Sequence, residues 1–120
     1  MAKAAYGRLS VATRSLRSIE YDAFARVTHQ LKHATGLQSA GFPALAQALH
    51  DNRTLWVTLA ADVAEPSNGL PTALRAQIFY LAEFTGHHSA KVLSGQADAA
   101  VLIEINTAMM RGLRREEDRQ

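Results

Sequence analysis

From Asn52 to Arg75 the chain reads N-R-T-L-W-V-T-L-A-A-D-V-A-E-P-S-N-G-L-P-T-A-L-R, and this stretch holds the only tryptophan and two of the three prolines. Its first half has the period of a helix. Trp56, Leu59 and Val63 continue a stripe begun by Leu45 and Leu49 at steps of three and four residues, which places them on one face. Pro66 has no N–H to continue a helix, and Asn68-Gly69 accept the positive φ of a tight turn. Pro71 suits the first turn of a following helix, where a missing N–H costs nothing. An Asn-Gly pair between strands would read as a hairpin, but both flanks here are helical. The stretch therefore predicts helix, sharp corner, helix. Asn52 falls inside the apolar stripe, where a buried amide must find partners or bear a desolvation cost of a few kcal/mol. The candidates are the Trp56 indole one turn away and a loop backbone.

Toward the N-terminus, Pro43 opens the second helix and residues 36–42 form a Gly/Ser-containing connection. A first helix is expected from Ser18, an N-cap residue type, with Glu20 and Asp22 in its first turn where the helix dipole favours acids. Phe24, Val27, Leu31 and Ala34 form its apolar face, and Gly36 ends it. The opposite face carries Asp22, Arg26, His29 and His33. The two histidines are spaced so that both rings could reach one zinc ion, but no third ligand and no metalloprotease glutamate accompany them. A solvated polar face with an Asp22–Arg26 pair is the simpler reading. Residues 1–17 carry Lys3, Arg8, Arg14 and Arg17 without an acid, and read as a basic arm that could also suit a transit peptide.

Beyond the corner, Leu74, Ile78, Leu81, Thr85, His88 and Val92 share one side of a third helix, and Phe79, Ala82 and Leu93 widen the arc. So wide an arc predicts a central helix packed on two neighbours. Gly95 is a natural C-cap. A fourth helix is expected from about Asp98, with Val101, Leu102, Ile105, Ala108, Met109 and Leu113 facing inward. Ile103 and Met110, two turns apart, lie on its other side and would be either buried there or presented to a partner. Residues 114–120 mix charges and read as a disordered tail. The expected fold is all-α: a small bundle of about four helices as a single domain over 18–113, with the basic N-terminal arm.

Composition agrees and excludes more than it identifies. The chain has 120 residues, 48% of them hydrophobic, and no cysteine. That length suits one domain, and the absence of cysteine removes disulfides, thiolate metal sites and thiol nucleophiles. No segment approaches the ~18 consecutive apolar residues of a membrane span. A net charge of +2 does not name a partner. No phosphate loop, carboxylate pair, nucleophile elbow or zinc-ribbon spacing appears, so neither an enzyme nor a cofactor is expected. A small cysteine-free helical domain suits the cytoplasm.

The ordered set of short motifs is more specific than any one of them. Ala5-Tyr6, Arg17-Ser18-Ile19-Glu20-Tyr21, Asn52-x3-Trp56-x5-Asp62, Asn68-Gly69-Leu70-Pro71-x2-Leu74-Arg75-Ala76-Gln77-Ile78, Leu102-Ile103-Glu104-Ile105-Asn106 and Met110-Arg111-Gly112-Leu113 follow one another in the chain. In order and spacing the chain resembles the FlaF family of flagellar biosynthesis regulators of alphaproteobacteria, over roughly residues 5 to 113. Leu16 departs from the proline that this resemblance leads one to expect before Arg17. The resemblance makes Tyr21, Asn52, Asp62, Asn68, Pro71 and Asn106 its structural signature. It implies a cytoplasmic, chaperone-like factor that binds flagellin and promotes its synthesis and export, acting in opposition to the partner regulator FlbT.

That role is physically reasonable, because flagellin termini are amphipathic helices whose apolar face a small bundle could cover. Trp56, Leu70 and Arg75 are candidate contacts, with Ile103 and Met110 as a second candidate surface. The competing reading makes Trp56, Asn68, Leu70 and Pro71 a brace that sets the angle between two helices. An alternative function is post-transcriptional: the basic arm could contact flagellin mRNA, which would make binding steeply salt-dependent.

Overall fold

The computed structural model describes residues 21–118, and among them it shows four helices and no strand, a small all-α bundle. Helix α1 covers residues 21–36, α2 Phe42–Ala64, α3 Thr72–Leu93 and α4 Ala100–Asp118, with a short 3-10 turn at Gln38–Gly41 before α2. The expected basic arm over 1–17 and the helix start at Ser18 lie outside the described residues.

Each helix forms where its apolar period places it. Phe24, Val27, Leu31 and Ala34 are buried on α1, while Asp22, Arg26, His29 and His33 are exposed on its other side. The α1–α2 connection turns on Gly41 rather than Gly36. A Cβ at Gly41 would lie 2.5 Å from the Leu37 Cβ and 2.7 Å from the Ala34 carbonyl oxygen, whereas one at Gly36 would meet nothing within 4 Å. Pro43 occupies the first turn of α2 as expected. Glu65, which precedes Pro66, leaves α2 in an extended conformation with ψ of 130°, because the proline ring disfavours helical geometry in the residue before it.

Helix α3 ends in a Schellman motif. Gly95, with φ of 78°, donates to the Val92 carbonyl at 3.1 Å, and Gln96 donates to the Lys91 carbonyl at 2.8 Å. Asp98 then starts α4, its carboxylate accepting the Ala100 N–H at 2.9 Å. Helix α4 runs through Asp118, past the Leu113 where the apolar pattern fades. Arginine and glutamate are good helix formers, and Arg114 and Arg115 sit near the end that favours cations.

Helix α3 packs on α2 and α4, the two neighbours its wide arc predicts, but Phe79 and Leu93 at the edge of that arc are exposed rather than inward. Ala108 on α4 is exposed as well, because it stands at the edge of an arc centred nearer Leu102 and Asn106.

The core has two apolar ends. One gathers Leu31, Ala48, Leu49, Val92, Ala99 and Leu102; the other gathers Phe24, Trp56, Leu59, Val63 and Ile78. On each of α2, α3 and α4 a buried polar residue falls between the two: Asn52, Thr85 and Asn106. The bundle therefore carries a polar layer across its middle.

Candidate functional site

The polar layer is built on a chain of three side chains. Trp56 Nε1–H donates to Asn106 Oδ1 at 3.0 Å, and Asn106 Nδ2 donates to Asn52 Oδ1 at 2.7 Å. All three are fully buried. The indole can only donate, so Asn106 must turn its oxygen toward Trp56 and its amide nitrogen toward Asn52, which in turn must present oxygen. One apolar-looking tryptophan thus orients two amides on two helices. The expected pairing of Asn52 with the Trp56 indole is corrected: Asn106 of α4 stands between them. Asn106 lies four residues after Leu102 and three before Met109, the same placement within an apolar stripe that made Asn52 conspicuous, and this was the signal from which the pairing could have been read. Asn52 Nδ2 and Thr85 Oγ1 lie buried in the layer without a hydrogen-bond partner among the described residues.

Trp56 also meets Phe24 of α1 edge-to-face, with ring centroids 5.3 Å apart and planes at 76°. Such pairs contribute about 0.5–1.5 kcal/mol beyond the area they bury. Trp56 therefore ties α2 to α1 through its ring face and to α4 through its N–H.

The corner between α2 and α3 is closed by side chains from both of its arms. Arg75 of α3 reaches back so that Nε donates to the Val63 carbonyl at 2.8 Å and Nη2 to the Glu65 carbonyl at 2.7 Å. The end of a helix leaves carbonyls such as that of Val63 without an intrahelical partner, the Glu65 carbonyl also accepts the Asn68 N–H at 3.0 Å, and a cation there is favoured by the helix dipole. Asn68 completes the turn, accepting the Leu70 N–H at 3.0 Å and donating to the Asp62 carbonyl at 3.2 Å. Asp62 itself points its carboxylate to solvent and contributes through its backbone. Pro71 takes the N-cap position of α3, and Leu70 is half-buried against the cluster that contains Trp56.

The remaining candidate residues are distributed. Ile103 and Met110 are half-buried, Ile103 against the Leu31 cluster and Met110 against the Phe24–Trp56 cluster. Tyr21 is half-buried under the Arg114 guanidinium, 5.7 Å from the ring centre. His88 stacks on Phe84 with centroids 5.5 Å apart, and its Nε2 donates to the Asp98 carbonyl at 2.9 Å, which ties α3 to the start of α4. His29 and His33 stand exposed on α1, and among the described residues no three His, Cys, Asp or Glu side chains gather as a metal site. No described helix is long and apolar enough to cross a membrane.

The buried tryptophan and amides come from α2 and α4, some fifty residues apart in the chain, so a resemblance that includes them has to extend over most of the fold. A family model, flagellar protein FlaF, matches residues 2–113. The chain belongs to the FlaF family. Asn52, Trp56, Asp62, Asn68, Leu70, Pro71, Arg75 and Asn106 of this FlaF-family chain, quoted as isolated motifs, meet in two places, the polar layer and the corner. No curated protein and no solved structure is detectably similar to it.

Proposed function

We propose that this protein binds flagellin as a chaperone-like factor and promotes flagellin synthesis and export, working in the cytoplasm without catalysis. The observation that carries the reading is membership of a flagellar protein family by a chain folded as a small helical bundle. Flagellar function requires amphipathic flagellin helices to remain unpolymerised until export, and helical bundles commonly recognise such helices through apolar surfaces. The regulator FlbT is the proposed opposing partner. Residues 18–113 act as one folded unit.

Within this reading the Asn52–Arg75 stretch works chiefly as a brace. Trp56 has no exposed surface to offer, and both donors of the Arg75 guanidinium named above are engaged with α2. Leu70, Ile103 and Met110 retain partial exposure and remain the candidate contacts of the original set. The test is calorimetric titration of the purified protein with full-length flagellin and with flagellin lacking its terminal helices. Binding to the first that is lost with the second is expected, and persists at moderate salt because apolar burial dominates. Absence of binding to either refutes the reading.

A further inference from the structure

Helices α2 and α3 pack antiparallel, and two rungs set their register. Arg75 reaches the Val63 carbonyl, and the Arg53 guanidinium lies 3.9 Å from where a Cβ on Gly86 would sit. Stepping from Val63 back to Arg53 on α2 thus corresponds to stepping from Arg75 forward to Gly86 on α3. Residues seven apart on a helix are two turns apart and stack on one side. Starting from the Arg53–Gly86 rung, Ala46 and Ala60 therefore line the outer side of α2, and Phe79 and Leu93 the outer side of α3.

This outer seam has a low floor and high walls. Ala46, Ala60, Ala82 and Gly86 are half-buried along its bottom. Above them Phe79 and Leu93 are each 44% exposed, Val57 58% and Phe42 51%. These are four of the seven large apolar side chains exposed among the described residues. Single exposed apolar residues are ordinary on a protein surface, but a row of them along one seam marks a contact surface. Small residues between two helices let a third backbone approach closely, and the seven-residue recurrence of both walls is the repeat that a helix laid along them would share.

The walls also differ in charge. Arg53 stands exposed on the α2 side, and Glu83, one turn after Phe79, stands exposed on the α3 side. A helix fitting this seam carries an acid on the flank facing α2 and a base on the flank facing α3, which sets its rotation about its own axis. The seam has both walls from about Ala46, opposite Leu93, to Val63, opposite Arg75, and accommodates about five turns of such a helix.

We propose that the outer α2–α3 seam is the docking groove for an amphipathic helix of a partner protein, with an apolar stripe between an acidic and a basic flank. The inference rests on the flagellin reading only for the source of that helix, a flagellin terminal segment. It differs in place from the Leu70, Ile103 and Met110 surfaces, which lie toward the core clusters.

The chain lacks cysteine, so Val57→Cys places one thiol in the seam and Lys32→Cys places one on the exposed face of α1 as a control. The probes are a 21-residue peptide with leucine at heptad core positions, Glu on one flank and Lys on the other, and full-length flagellin. Saturating peptide should slow maleimide labelling at position 57 by about tenfold or more, as burial of an apolar side chain implies, and leave position 32 unchanged. Phe79→Asp should weaken peptide binding by at least about tenfold while Trp56 emission stays that of the folded protein. Peptide binding that leaves position 57 reactive, or no peptide binding, overturns the groove, as does protection at position 57 that rises with protein concentration alone and signals a second copy. Protection by the peptide with no binding of flagellin keeps the groove and refutes the flagellin reading. Flagellin that binds without protecting position 57 does the reverse.

Discussion

Asn106→Leu is the most informative single change, because Asn106 is the middle member of a fully buried three-residue hydrogen-bond chain. Leucine fills a similar volume, so the packing loss is small and the cost comes from stranded polar groups. Trp56 Nε1–H loses its acceptor and Asn52 Oδ1 loses its donor, and neither reaches water. Each stranded group costs about 1–3 kcal/mol, for a total of about 2–6 kcal/mol. Whole-domain stability is about 5–15 kcal/mol, so this single change consumes a large share of it. A second substitution, Asn52→Leu, removes one of the stranded groups and should restore about 1–3 kcal/mol in the double variant. The two changes are then non-additive, with the double variant more stable than Asn106→Leu alone. Urea unfolding followed by fluorescence measures this directly, since Trp56 is the only tryptophan and is buried. Midpoints converted with the usual slope of about 1–3 kcal/mol per molar urea resolve differences of this size. A double variant less stable than Asn106→Leu, or an Asn106→Leu protein as stable as the parent, would show that the hydrogen-bond chain does not govern the core.

Arg75→Ala leaves the Val63 and Glu65 carbonyls without their charged donor and should lower the urea midpoint by the equivalent of about 1.5–3 kcal/mol; Arg75→Lys should recover less than half, because one ammonium cannot reproduce the planar two-carbonyl reach. Gly41→Ala forces a methyl against Leu37 and the Ala34 carbonyl, and calorimetry should show a loss of about 1–3 kcal/mol. Gly95→Ala meets no steric neighbour but places a side chain at positive φ, so a smaller loss, about 1 kcal/mol, is expected in the same experiment.

Much of this fold was legible because helix periodicity is a local signal. The stripes on α1 and α2, Pro43 at the start of α2, the proline stop at Pro66 and the Gly95 cap all depend on neighbours within a turn or two. What escaped was set by distance in sequence. Trp56 and Asn106 are fifty residues apart, and only the packing of α4 on α2 shows that one amide separates the indole from the other. The Gly41 requirement depends on how closely the α1–α2 connection folds onto Leu37, which composition cannot reveal. The edge of the α3 arc was ambiguous for a related reason: an apolar residue at the edge of a stripe can face the core or the surface, and Phe79 and Leu93 are exposed although α3 does pack on α2 and α4. The candidate site was legible as a set of residues and not as an arrangement. The motifs named the members of the corner and the polar layer, while the division of labour between them is set by how α4 packs on α2 and how α3 folds back at the corner.

The polar layer bears on why the binding surface lies where we infer it. A bundle that captures amphipathic helices risks admitting them into its own core, or pairing its own helices out of register. A buried hydrogen-bond chain opposes both, since a foreign apolar helix replacing α4 would strand the Trp56 N–H and the Asn52 oxygen, at about 1–3 kcal/mol each. An outer seam without buried amides imposes no such penalty, so partner helices are directed to the surface and excluded from the interior. This hypothesis makes the Asn52→Leu/Asn106→Leu protein useful beyond stability. With its core made apolar, it should still fold, yet lose selectivity: sedimentation should detect new oligomers, or the heptad peptide should bind without protecting a thiol at position 57. If the double variant keeps the parent's oligomeric state and the peptide still docks only in the seam, the layer contributes to stability alone and the placement of the binding surface needs another cause.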